Sequence, residues 1–180
     1  LVSWPLEHVV KCLVFFHPED QPQLRREQEC MVNEVYNACC QSGHELLLEV
    51  ILPANMPRTD DLYLRAVQRF YNLGIKPDWW KLPPLQAASW QTSDALIAER
   101  DPHCRGVVLL GLDAPESELA AGFAASAASS RVKGFAVGRT LFGQPSRDWL
   151  AGNIDDDTLI ARISDNYLRL IALWRQRKAQ

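Results

Sequence analysis

Continuous apolar runs alternate with segments of helical period from one end of the chain to the other. Residues 9–16, 45–51, 79–82, 106–111 and 134–138 are rich in Val, Leu, Ile, Phe and Trp and lack a clean in-out alternation, as expected of strands covered on both faces in a parallel sheet. Between them the pattern predicts helices at about 23–40, 60–73, 92–99 and 116–128, with a terminal pair at 146–151 and 155–177. Gly43 and Gly74 stand where a glycine ends a helix, and Asp60, Thr92 and Asp155 stand where an N-cap is wanted. Successive strands begin roughly 25 to 38 residues apart, the length of one βα unit. The fold class is therefore α/β, a parallel (β/α) TIM-barrel type in one domain over residues 1–180. A closed barrel takes eight such units, so the chain is expected to be the C-terminal five units of a barrel, with the first three strands upstream. The run 9–16 then becomes an edge, which the segment around Trp4 or a second copy should cover.

Composition narrows the class of function. With 47% hydrophobic and 23% charged residues the chain has the balance of an ordinary globular domain. No apolar run reaches the roughly 18 residues of a spanning helix, so no membrane partner is expected. Nineteen basic residues against 22 acidic ones give a net charge of -3, and the basic ones are scattered, which argues against a nucleic-acid surface and for a small-molecule ligand. Cys12, Cys30, Cys39, Cys40 and Cys104 are odd in number and form no C-x-x-C pair, so free thiols in a reducing cytoplasm are expected, with neither a metal site nor a disulfide framework. Nucleotide, dinucleotide and H-E-x-x-H motifs are missing too.

Polar residues inside strands are costly unless they have partners, which makes them the first candidates for function. Lys11, Glu49 and Lys81 each lie in a different apolar run. By the period of two, Lys11 shares a face with Leu13 and Phe15, Glu49 with Leu47 and Ile51, and Lys81 with Trp79. If these faces look into one barrel, two amines and a carboxylate meet in an apolar cavity, the set that imine chemistry uses. A lysine is a nucleophile only as the free amine, which burial and a neighbouring cation favour, and Glu49 could move the protons. The same residues also suit a structural ion pair between Lys11 and Glu49, with Lys81 reaching outward from a strand end. Phosphate is suggested by Gly111 and by Gly138-Arg139-Thr140, which follow two successive strands as phosphate-binding loops do in barrels. His17 and Asp113, at or just beyond strand ends, are candidate substrate contacts; Asp113 also suits a helix cap.

The stretches Val10-Lys11-Cys12-Leu13-Val14-Phe15-Phe16-His17-Pro18, Glu45 to Ile51, Pro77-Asp78-Trp79-Trp80-Lys81-Leu82 and Gly134 to Thr140 resemble the uncharacterised domain fused C-terminal to bacterial 5-dehydro-2-deoxygluconokinase, an enzyme of inositol catabolism. That domain is similar in turn to class I tagatose-bisphosphate aldolases, in which strand six carries the imine-forming lysine and strands four and five supply a lysine and a glutamate. With the Gly-Arg-Thr strand counted as the eighth, Lys81 takes the first role, and Lys11 and Glu49 the others. The resemblance implies a Schiff-base aldolase that needs no metal or other cofactor. It would cleave 6-phospho-5-dehydro-2-deoxygluconate to dihydroxyacetone phosphate and malonate semialdehyde, with a fused kinase domain or a second copy as partner. It also implies an alternative, a non-catalytic sugar-phosphate-binding domain that regulates the kinase. Pro83 departs from the pattern, since an acidic residue is expected two positions after the lysine.

Overall fold

The computed structural model describes residues 1–111 and 114–177. Strands and helices alternate as β1 (Val10–Phe15), α1 (Pro22–Ser42), β2 (Leu46–Ile51), α2 (Asp60–Asn72), β3 (Trp79–Leu82), α3 (Ala87–Arg100), β4 (Gly106–Leu109), α4 (Glu116–Ser126), β5 (Val132–Phe135), α5 (Arg139–Leu150) and α6 (Asp156–Gln176). The strands form one sheet in the order β1-β2-β3-β4-β5, every neighbouring pair parallel. Because the order never reverses, right-handed crossovers put all the connecting helices on the same face, which is the winding of a barrel rather than of a doubly wound sheet.

The core lies between that face and the helices. Leu48, Val50, Trp80, Leu82, Val107 and Leu109 point outward from the sheet and meet Val32, Ala66, Val67, Phe70, Ile97 and Phe123, all essentially inaccessible to water. Trp80 is its centre: the ring packs against Phe70 and Tyr71, and its Nε1 donates to Tyr71 Oη at 2.7 Å. Truncating such a residue to alanine costs about 3–5 kcal/mol.

Several boundaries differ from the sequence reading. β5 runs from Val132 to Phe135 rather than over 134–138, with an irregularity between Val107 and Val108 in its register on β4. α3 starts at Ala87 and leaves Thr92 inside the helix, its hydroxyl donating to Ala88 O. Thr59 rather than Asp60 caps α2, while Asp60 Oδ2 accepts from Gln86 N at 2.7 Å, at the start of α3. Gly43 does adopt the left-handed conformation after α1, and Asp155 does cap α6.

The longest revision is α5, which begins at Arg139 and runs through Pro145. A proline inside a helix leaves the carbonyl four residues earlier without its donor. Here that carbonyl belongs to Leu141, and Asn166 Nδ2 of α6 donates to it at 2.6 Å. The buried Pro145 is thus tolerated because α6 supplies the missing hydrogen bond.

The N-terminal segment does not cover β1's edge as expected. Leu1 joins the small apolar cluster of Val10, Cys39 and Leu46, and His44 Nε2 hydrogen-bonds Pro5 O, so the segment packs under the start of β1 and β2. Trp4 is half exposed, and Leu13 and Phe15 on the inner face of β1 remain 41% and 55% accessible. Among the described residues no helix is long and apolar enough to cross a membrane.

Candidate active site

Opposite the helices, the inner face of the sheet carries the polar strand residues. The register pairs Lys11 with Leu47, Leu13 with Glu49 and Glu49 with Lys81. In a barrel of eight strands and shear eight, a given level moves by one residue per strand, so alternate strands contribute residues two apart in register. By that rule Lys11, Lys81 and Ala136, on or just past β1, β3 and β5, share one layer. Glu49 and Leu110, from β2 and the end of β4, belong to the adjacent layer.

The side chains meet accordingly. Lys11 Nζ lies 2.6 Å from Glu49 Oε2, and Lys81 Nζ lies 3.2 Å from Oε1. Glu49 is only 6% exposed and Lys81 14%, whereas Lys11 is 49% exposed on the open side of β1. One buried carboxylate therefore bridges two ammonium groups. Despite its close ionic contact, Oε2 has no directed hydrogen bond, so the ion pair is real but poorly aligned and the oxygen keeps acceptor capacity.

This triad opens into a cavity of about 270 Å³ that continues past Leu110 and Gly111 to the start of α5. Gly138 is the N-cap of that helix, with Leu141 N and Phe142 N turned back to its carbonyl at 2.8 and 3.2 Å. The N–H groups of Arg139 and Thr140 belong to the first turn, which has no intrahelical acceptors and favours an anion. Gly111 is required by close approach: a Cβ there would come within 2.8 Å of Val137 Cγ1. With Lys11, Lys81 and Arg139 against Glu49, the cavity has an excess of two positive charges.

The structure thus brings together Lys11, Glu49, Lys81, Gly111, Gly138 and Arg139 around one space. His17 lies apart from it. Fully buried, its Nδ1 accepts from Glu19 N and its Nε2 donates to Pro57 O, both at 3.1 Å, which ties the loop after β1 to the loop after β2. The expected substrate contact is here a loop anchor. Asp113 lies outside the described residues. Sequence reasoning named Gly138, Arg139 and Thr140 but missed Ala136 and Phe142 as cavity residues; Phe142 was hidden because the stretch before Pro145 reads as loop until Pro145 is seen to sit within a helix. No group of three or more His, Cys, Asp or Glu residues placed to hold a metal ion occurs among the described residues.

Residues 1–178 match the family model described as an uncharacterised protein conserved in bacteria, DUF2090. No curated protein sequence matches the chain. Among solved structures, Cgl0159 of Corynebacterium glutamicum is similar with a TM-score of 0.56 at 20% identity over 89% of this chain. The match spans 50% of that protein's length, so the chain corresponds to about half of it, and at this identity the likeness concerns the fold alone.

Proposed function

The chain belongs to DUF2090, a bacterial family whose description assigns no chemistry, and we propose from its own residues that it is the imine-forming part of a class I aldolase acting on a phosphorylated keto-sugar acid. The observation that carries this reading is the bridging of Lys81 and Lys11 by the buried Glu49 in a cavity whose far end is the first turn of α5. The phosphate lies against Gly111, Gly138 and Arg139, which sets the adjacent carbonyl beside Lys81 on the middle strand.

Glu49 accepts the proton that frees the Lys81 amine, Nζ attacks the carbonyl carbon, and Glu49 passes that proton and one from the nitrogen to the carbinolamine oxygen, which leaves as water. The resulting iminium accepts the electron pair of the carbon-carbon bond as it breaks, while Glu49 takes the proton from the hydroxyl that becomes the aldehyde. Protonation of the enamine and hydrolysis of the imine release the second product and restore Lys81. The substrate that fits the resemblance is 6-phospho-5-dehydro-2-deoxygluconate, split to dihydroxyacetone phosphate and malonate semialdehyde in the cytoplasm by a domain fused to its kinase.

The test is borohydride trapping in the full-length protein with dihydroxyacetone phosphate. A reduced adduct on Lys81, located by mass spectrometry and lost together with cleavage in Lys81→Ala, is the expected result. Tight binding of the phosphate with no adduct at Lys81 over a wide pH range leaves a binding domain and ends the aldolase reading.

A further inference from the structure

We infer that the cleft between α1 and α2 is a second ligand site, on the helix side of the sheet, which takes the phosphoryl group of a small phosphate monoester. The two helices are tied across this cleft by Glu29 and Arg69, whose Nε and Nη2 donate to the two carboxylate oxygens at 2.8 Å each. Beside the bridge lies a cavity of about 220 Å³ lined by Pro18, Arg25, Arg65, Gln68, Arg69 and Asn72. Three guanidinium groups thus face one small space, and no carboxylate lines it with them.

Each guanidinium is held from one side only. Arg65 Nη1 donates to Glu19 at 2.8 Å, Arg25 Nη1 donates to Pro18 O at 3.0 Å, and Arg69 turns two of its nitrogens to Glu29. Among the described residues no protein acceptor meets Arg25 Nη2, Arg65 Nε and Nη2, Arg69 Nη1, or the side-chain amides of Gln68 and Asn72. Arg25 has no carboxylate partner among them, and its Nε is buried without an acceptor. Glu19 and Asp61, the partners of Arg65, are largely exposed, so water screens much of what they offset. One bidentate pair already joins the helices. Two further arginines at the same cavity bring like charges together, which an anion from outside would relieve.

The donors fix the class of ligand. Guanidinium forks match the oxygens of a phosphate, and five donor-bearing side chains around one space suit a tetrahedral dianion better than a carboxylate with two oxygens. The volume falls below the roughly 300–1,000 Å³ of sites that enclose a whole drug-sized ligand, so the cavity takes a phosphoryl group and the first atoms of its ester. It lies across the sheet from Lys81, and its lining holds no thiol, imidazole or carboxylate, so the site binds and does not react. The inference is independent of the imine reading.

The test is phenylglyoxal modification of the full-length protein, read residue by residue by mass spectrometry, with inorganic phosphate as the ligand and chloride at equal ionic strength as the blank. Phosphate should slow modification of Arg65 several-fold and leave Arg26, exposed on α1 outside this cavity, unchanged. Glycerol 3-phosphate should protect at least as well. Gln68→Glu places a carboxylate in the lining at an exposed position and should raise the phosphate concentration for half protection by about tenfold or more. Asn72→Asp, one turn further along α2, should do the same.

Modification of Arg65 at one rate with and without phosphate overturns the inference. Equal protection of Arg26 also overturns it, because the effect is then a general one of anions on the surface. Protection that survives both carboxylate variants places the anion elsewhere, and protection by inorganic phosphate but not by glycerol 3-phosphate removes the ester.

Discussion

Replacing Gly122 with alanine should destabilise the protein, although alanine is the better helix former. Gly122 lies inside α4, where the exchange alone would stabilise by about 1 kcal/mol. A Cβ at this position, however, would stand 2.5 Å from Pro84 Cβ and 2.6 Å from Pro84 Cγ, about 1 Å inside ordinary carbon contact. The proline ring cannot swing aside, so backbone must move, and overpacking of this kind costs about 1–3 kcal/mol. The balance is a net loss of about 1 kcal/mol, or a Tm lowered by roughly 2–4 °C in a chain of this length.

Gly143 in α5 is the control, since a Cβ there meets nothing closer than 3.6 Å and Gly143→Ala should stabilise by about 0.5–1 kcal/mol. Urea unfolding of the two variants beside wild type makes the comparison. Because Pro84 follows Lys81 by three residues, Gly122→Ala should also slow borohydride trapping several-fold. If Gly122→Ala proves as stabilising as Gly143→Ala, α4 does not press on the loop that carries Lys81, and the reasoning fails.

Glu49→Gln keeps the shape of the bridge but removes its charge, so it should lower cleavage by about 10²–10⁴-fold, the usual contribution of general acid-base catalysis. Cleavage at the wild-type rate in that variant would show that Glu49 moves no proton. Burial pushes the Cys104 thiol up to about 11, so Cys104 should resist a thiol reagent at pH 8 while the exposed Cys30 and Cys40 react at once. The sign for stability follows: an unfolded thiol ionises near 8.5, so the contribution of neutral Cys104 is complete below about pH 8.5 and is lost toward about 11. The stability of wild type relative to Cys104→Ala, measured by urea unfolding, should shrink over that range, and a constant difference would contradict the burial argument.

Strand identity and order were legible because apolar runs covered on both faces leave a strong signature, and Lys11, Glu49 and Lys81 stood out because charged residues inside such runs are costly unless they have partners. Glu49 between Lys11 and Lys81 follows from the period of two plus barrel shear. The end of the chain was harder. The segment 139–150 contains Gly143 and Pro145, both helix breakers by local propensity, and the sequence gives no local sign that Asn166, twenty-one residues later, supplies the hydrogen bond Pro145 lacks. Thr92 looks like a cap because capping chemistry and interior back-bonding use the same hydroxyl. His17 looks like a ligand because a strand-end histidine serves equally well to pin two loops.

The hydrogen bond from Asn166 to Leu141 also gives the site an order of assembly. A chain emerging from the ribosome presents Lys11, Glu49 and Lys81 on their three strands well before residue 139. The turn that holds Arg139 cannot be braced in this way until α6 has been synthesised and docked, after all five strands. The amines are thus in place before the anion-binding turn is secured, and a nascent chain stalled before residue 166 would carry the reactive cluster without the turn's final brace.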